Sequence, residues 1–287
     1  MRDSLLLRFL YGTVPGRAVL KLLVQPGISK LGGRLLSTRV SRWIVPHYIK
    51  KHHINMKNIE VPRGGFPSFN AFFTRRRRRR SRDLAGDHLI SPCDGYLTVV
   101  RMVRGAVLSI KNTEFSVEDL LKDKGLAERF RGGTAFIFRL TPAEYHRYCY
   151  AADGDIIRAE RIPGKLHCVR PIALRNIPVF VQNSREYQVI RTERFGTMVQ
   201  MEIGALLVGK IKNDGRYLES GSVQAGEEKG YFEFGGSTIV LLLQKDAVRV
   251  NTSLRDRKSV GGEIRVRMGE AIAHCLRSNP CTQSENR

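Results

Sequence analysis

Tryptophan occurs once in the 287 residues, and all aromatics together make up 8%. The longest unbroken apolar runs, such as Ile239-Val240-Leu241-Leu242-Leu243, fall far short of the roughly 20 residues that cross a bilayer, so no transmembrane helix is expected. Arg8 interrupts Leu5-Leu6-Leu7 and no small-residue cleavage site follows, so no secretory signal is read and a cytoplasmic location is expected. Five cysteines, an odd number without a C-x-x-C pair, argue against a disulfide framework or a zinc ribbon and read as reduced thiols. A phosphate loop, a dinucleotide fingerprint and an H-E-x-x-H helix are all missing, and the scattered histidines suggest no metal site.

Acidic residues are scarce in the front third. Residues 1–83 hold 19 Lys/Arg against 3 Asp/Glu, net +16, whereas residues 84–287 are only +6 of the total +22. Such asymmetry points to a polyanion nearby, either nucleic acid or an anionic membrane. Apolar residues at Ile28, Leu31, Leu35 and Leu36 recur at helical spacing between Lys30, Arg34, Arg39 and Arg42, and Val19 to Leu23 around Lys21 repeats the pattern. Two short basic amphipathic helices are therefore predicted. Their apolar stripes either pack on the body of the protein or lie in a headgroup plane, with Phe9 and Trp43 beneath the cations. The six arginines from Arg75 to Arg80, followed by Arg82, would serve either polyanion. Phe66, Phe69, Phe72 and Phe73 precede the run without interleaving as stacking platforms would, which favours the membrane and leaves nucleic acid unexpected.

After Asp83 short apolar runs are broken by Gly, Asp, Asn and Pro, a strand-and-turn texture. Strands are predicted at residues 88–90, 96–103, 106–110, 135–140, 155–162, 187–192, 196–203, 206–212, 230–234, 238–243 and 264–268, with one helix from Ser116 to Lys122 capped by Ser116. The expected class is α+β: N-terminal amphipathic helices in a membrane-associating region, 1–83, then a β-rich catalytic domain, 84–287, of mainly antiparallel short strands.

Three islands carry chemistry-bearing residues. Ser91-Pro92-Cys93-Asp94-Gly95 reads locally as a turn between strands, since Asp-Gly is a common hairpin pair. Tyr145-His146-Arg147 holds a histidine among aromatics, a setting more usual for packing than for catalysis. In Phe234-Gly235-Gly236-Ser237-Thr238 two glycines precede a serine that opens an apolar strand, most simply a bulge or tight turn. Together they supply a carboxylate, an imidazole and a hydroxyl on a backbone free to take unusual dihedrals.

With these islands the chain resembles the phosphatidylserine decarboxylase proenzymes over most of residues 66–270. The likeness includes Phe69-Asn70-Ala71-Phe72-Phe73-Thr74-Arg75, Gly196-Thr197-Met198-Val199-Gln200, Val208-Gly209-Lys210-Ile211 and the run from Gly230 to Thr238. The resemblance implies autocatalytic cleavage between Gly236 and Ser237, giving a β chain (1–236) and an α chain (237–287) that stay together as a heterodimer. Ser237 would become a pyruvoyl cofactor. That group would hold the phosphatidylserine amine as a Schiff base, doing the work of pyridoxal phosphate without that cofactor and without metal, and release phosphatidylethanolamine and carbon dioxide at the cytoplasmic face of a membrane. His146 would donate the proton, and Asp94 would orient a histidine during serine activation.

One position departs from the family. Members commonly carry a second histidine, in Tyr-His-Arg-x-His, assigned to processing; Cys149 stands there, and a neutral thiol is a poor base near pH 7. Either His146 does both jobs, or His167 serves as a second relay, or processing fails. The last option leaves a non-catalytic basic lipid- or nucleic-acid-binding relative as the alternative.

Overall fold

The computed structural model describes residues 5–78, 88–102, 107–110, 113–168, 173, 178–205, 211–213, 220–234, 237–255, 257, 259 and 262–276. The front of the chain is helical: α1 (Leu5–Gly12), α2 (Val14–Leu23), α3 (Pro26–Leu36), α4 (Ile44–His52) and α5 (Phe69–Phe73). Helix α2 starts where Thr13 Oγ1 accepts from Gly16 N–H at 3.0 Å. A Cβ at Gly16 would sit 1.9 Å from the Phe9 carbonyl oxygen, so only glycine lets α1 and α2 approach this closely. Helices α2 and α3 cover the two predicted amphipathic segments, whereas α1 and α4 go beyond them. Helix α4 is hidden in the sequence by Pro46, which is harmless there because N–H groups of a first turn need no partner within the helix.

The β-rich region follows, with α6 (Val117–Leu121), α7 (Lys124–Glu128) and α8 (Val179–Gln182) in its connections. Ser116 caps α6 as expected, its Oγ accepting from Asp119 N–H at 2.9 Å. The strands are β1 (His88–Ile90), β2 (Gly95–Arg101), β3 (Val107–Ile110), β4 (Thr113–Ser116), β5 (Thr134–Leu140), β6 (Arg147–Cys149), β7 (Gly154–Ile162) and β8 (Arg185–Thr192). They continue as β9 (Gly196–Ile203), β10 (Ile211–Asn213), β11 (Gly221–Val223), β12 (Glu228–Phe232), β13 (Ser237–Leu243), β14 (Val248–Val250), β15 (Ile264–Val266) and β16 (Ala271–Cys275). Eight form one antiparallel sheet in the order β11-β7-β8-β9-β13-β5-β2-β15. Two three-stranded sheets, β1-β16-β14 and β10-β12-β6, and the β3-β4 pair complete the fold, which is α+β as expected.

Strand β13 is buried along its whole length, and its side chains alternate between two cores. Val240 and Leu242 join Val199, Met201 and Ile137 on one face, where Leu10, Tyr11, Leu20 and Val24 of the front helices also pack. Ile239, Leu241 and Leu243 join Phe136, Phe138, Tyr148 and Phe232 on the other. A third cluster of Val45, Tyr48, Phe69, Phe72 and Phe73 draws in Phe234.

Some expectations change. Asp94-Gly95 is no hairpin, because β1 pairs with β16 while β2 pairs with β5 and β15. Glycine is required at 95 for a different reason: a Cβ would lie 2.9 Å from the Arg139 carbonyl oxygen. Strands β4, β6, β11, β14 and β16 were not expected, being short and mixed in character. The boundary at Asp83, the strand residues 103, 106 and 206–210, Arg79, Arg80, Arg82 and Gly235-Gly236 lie outside the described residues.

Candidate active site

Ser237 opens β13 opposite Leu140 of β5. In step with Ile239, its side chain falls on the face covered by the β10-β12-β6 sheet. The serine is 1% exposed, and its Oγ has no hydrogen-bond partner among the described residues. Burying a hydroxyl without a partner costs on the order of 1–3 kcal/mol, so structure alone does not account for a serine here.

His146 lies on this same side, just before β6. Its backbone carbonyl accepts from Phe232 N–H at 2.9 Å, which ties the histidine to the strand that leads into Ser237. The imidazole is fully buried against Phe73, with ring centroids 4.0 Å apart. Nδ1 stands 2.9 Å from the Glu144 carbonyl oxygen. A carbonyl only accepts, so Nδ1 carries the ring proton and the lone pair of the neutral ring belongs to Nε2. That tautomer suits a base.

Asp94 immediately precedes β2. It lies near the edge at which Ser237 begins but on the far side of β5, on the order of 10 Å away at the usual strand spacing. Its Oδ2 pairs with Arg77 Nη2 at 2.5 Å and its Oδ1 accepts from Met268 N–H at 3.0 Å. Neither partner is a histidine. Glu144, close to Asp94 and 3.6 Å from Arg265, is 7% exposed, and burial pushes its carboxyl above the usual range.

Cys149 is buried, with Sγ 3.5 Å from the Pro92 carbonyl oxygen, and burial pushes its thiol up to about 12. His167 is elsewhere: it packs beside Tyr11 in the core on the opposite face of the sheet, its backbone held on both sides by Asn183. Burial, helped by Lys165, lowers that imidazole to about 4. Among the described residues no three His, Cys, Asp or Glu side chains are grouped to hold a metal ion.

Several residues of this region were not singled out from sequence. Arg77 belongs to the arginine run, yet its backbone bridges to Ile59 and its guanidinium lies 4.2 Å from the Tyr145 ring centre. Arg75 is buried beside Phe72, donating to the Phe72 carbonyl, and burial lowers it to about 10. Arg147 ties Thr74 to Glu228. Lys229 and Glu202 form a fully buried ion pair next to Gln200. The phenylalanine-rich motif from Phe69 ends at Arg75 and the Tyr145 island at Arg147, so those two had a local signal; nothing in a short strand signals Lys229.

Comparison with known proteins bears on this site. The family profile described as phosphatidylserine decarboxylase matches residues 69–274, which include every candidate above. Phosphatidylserine decarboxylase proenzyme 2 of Clostridium acetobutylicum is 39% identical over 93% of this chain and 90% of its own length. The phosphatidylserine decarboxylase proenzymes of Ruminiclostridium cellulolyticum and Clostridium novyi are 37% and 36% identical, covering 94% and 93% of this chain and 91% of their own lengths. The family match and the relatives together define an enzyme of the decarboxylase class whose relatives are named as proenzymes. The chain belongs to the phosphatidylserine decarboxylase family.

Proposed function

We propose that the chain is the self-processing precursor of a pyruvoyl-dependent enzyme that decarboxylates phosphatidylserine to phosphatidylethanolamine at a membrane surface. The observation that carries the reading is the buried Ser237 hydroxyl, without a partner among the described residues, at the head of a strand in a family of proenzymes.

In processing, Ser237 Oγ gives its proton to a base and attacks the Gly236 carbonyl, and the peptide C–N bond is exchanged for an ester. Loss of the Cα proton then expels the Gly236 carboxylate, and hydrolysis of the dehydroalanine left behind releases ammonia and forms the pyruvoyl group. His146 is assigned the proton transfers, because its neutral tautomer leaves Nε2 basic whereas the Cys149 thiol is held protonated. Asp94 is assigned an electrostatic part at the same sheet edge, with Arg77 balancing its charge. The pyruvoyl group, once formed, supplies a carbonyl that condenses with the substrate amine and withdraws electrons as carbon dioxide leaves. His146, walled by Phe73, then returns a proton to the substrate carbon.

Membrane attachment is assigned to the front helices. Leu22, Leu31, Leu35, Val40 and Trp43 are each between 59% and 75% exposed and stand among the cations of the +16 segment. No described helix is long and apolar enough to cross a membrane.

Intact-mass spectrometry of the purified protein tests the reading. Chains of 236 and 51 residues are expected, the smaller lighter by one ammonia than a peptide starting with serine, and Ser237→Ala is expected to stop both cleavage and decarboxylation. An uncut Ser237→Ala protein with normal turnover overturns it. A wild-type chain that stays whole and inactive on phosphatidylserine vesicles instead favours a lipid-binding relative without catalysis.

A further inference from the structure

Helix α5 touches both Phe234, three residues before Ser237, and His146, which is assigned the proton transfers. Asn70 Oδ1 accepts from Phe234 N–H at 3.3 Å, three residues before Ser237. The Phe234 ring stands edge-on between Phe69 and Phe73, with centroids at 4.9 and 5.0 Å. The fully buried Phe73 ring also lies against the His146 imidazole, with centroids 4.0 Å apart. Phe232, two residues before Phe234, is bonded to the backbone of His146. Phe73 thus contacts both His146 and Phe234, and the backbone of His146 is tied to the same strand through Phe232.

Helix α5 is itself fixed. Ser68 caps it by accepting from Ala71 N–H at 3.1 Å, and Phe69 N–H donates to the buried Ser41 Oγ at 2.9 Å. Tyr48 of α4 closes on Phe69 at 4.9 Å. Two glycines separate Phe234 from Ser237. Attack on the Gly236 carbonyl requires one narrow geometry, and Phe234 is the last residue before the glycines whose contacts can set the direction of the chain.

We propose that α5 is the positioning element of self-processing, with Asn70 holding the chain before the glycines and Phe73 holding the imidazole against it. The proposal rests on the reading of Ser237 as the nucleophile. Neither residue takes part in bond making; both act by placing Phe234 and His146.

The test is a cell-free synthesis of the full chain, following conversion of the 287-residue precursor over time. Asn70→Ala is expected to slow conversion about 5- to 30-fold, the scale of a lost hydrogen bond plus a misplaced carbonyl. Asn70→Asp keeps an oxygen for Phe234 N–H and is expected to remain within about threefold of wild type. Phe73→Leu keeps apolar bulk but loses the flat face and is expected to slow conversion at least as much as Asn70→Ala. Thermal midpoints of the three variants in a Ser237→Ala background, where no cleavage occurs, separate positioning from folding. Slow conversion with the midpoint of Asn70→Ala unchanged and Asn70→Asp rescued supports the proposal. Wild-type conversion in Asn70→Ala, or Asn70→Asp as slow as Asn70→Ala, overturns it while leaving Ser237 chemistry intact. If Phe73→Leu does not fold, the Asn70 pair decides. A wild-type chain that never converts overturns the underlying reading instead.

Discussion

Arg77 reaches Asp94 from seventeen residues upstream, Nη2 to Oδ2 at 2.5 Å, while its backbone N–H donates to the Tyr145 hydroxyl at 3.2 Å. The arginine run is therefore not uniformly solvated. Arg75 is buried, and Arg77, in a segment bridged to Ile59, stays partly exposed while its guanidinium reaches Asp94; Arg76 and Arg78 are exposed. A stretch that composition marks only as a cationic surface thus also makes specific contacts with Asp94 and Tyr145.

The Cys149 thiol, pushed up to about 12 by burial, stays protonated throughout pH 6–10. Cys149→Ala is expected to process within about twofold of wild type, and the pH profile of processing to show no limb from a thiolate between pH 8 and 10. Conversion rates measured across that range check both; a tenfold loss in Cys149→Ala with unchanged stability would show that the thiol takes part.

His167 titrates at about 4 when folded against about 6.5 when unfolded, so the fold favours its neutral form. Its stabilising share is complete above pH 6.5 and is lost as pH falls toward 4, up to on the order of 2–3 kcal/mol. Chemical denaturation of His167→Gln between pH 7 and pH 4 is expected to show a shallower acid loss than wild type. Its processing rate is expected to be unchanged, since His167 packs on the sheet face opposite Ser237. A folded His167→Gln that fails to cleave would return the relay to His167.

The buried Lys229–Glu202 pair makes a different kind of prediction. Burial raises the carboxyl and lowers the ammonium, each countered by the other. Removing one partner strands a charge in the core, and Lys229→Met or Glu202→Leu alone is expected to cost about 3–5 kcal/mol. The double variant is expected to recover most of that loss, as read from denaturation midpoints in a double-mutant cycle. Additive losses would mean that the two side chains do not depend on each other.

Trp43 is the sole tryptophan and is 72% exposed, so its emission reports on the front helices without labelling. Vesicles rich in anionic phospholipid are expected to shift it to the blue, neutral vesicles much less, and salt to weaken the effect. Leu31→Glu with Leu35→Glu is expected to lower vesicle affinity at least tenfold, since each exposed leucine contributes on the order of 1.5–3 kcal/mol when buried in lipid. Unchanged emission with every vesicle type would place the polyanion partner elsewhere.

Local sequence determined a good deal of this protein. The apolar run after Ser237 could be read as a strand, Ser116 as a cap, and the helical spacing from Ile28 to Leu36 as an amphipathic helix, because each depends on neighbours a few residues apart. Strands β6 and β16 were not legible, since a three- or five-residue segment is a strand only by virtue of the partner it meets. The three islands came from sequence too, but their mutual placement did not. Only the tertiary structure put Arg77 on Asp94, stacked Phe73 on His146 and set His167 behind the sheet. Those relationships are between residues from seventeen to more than seventy positions apart, brought together by strand register and by the packing of three cores, and no periodicity along a chain encodes contacts of that range.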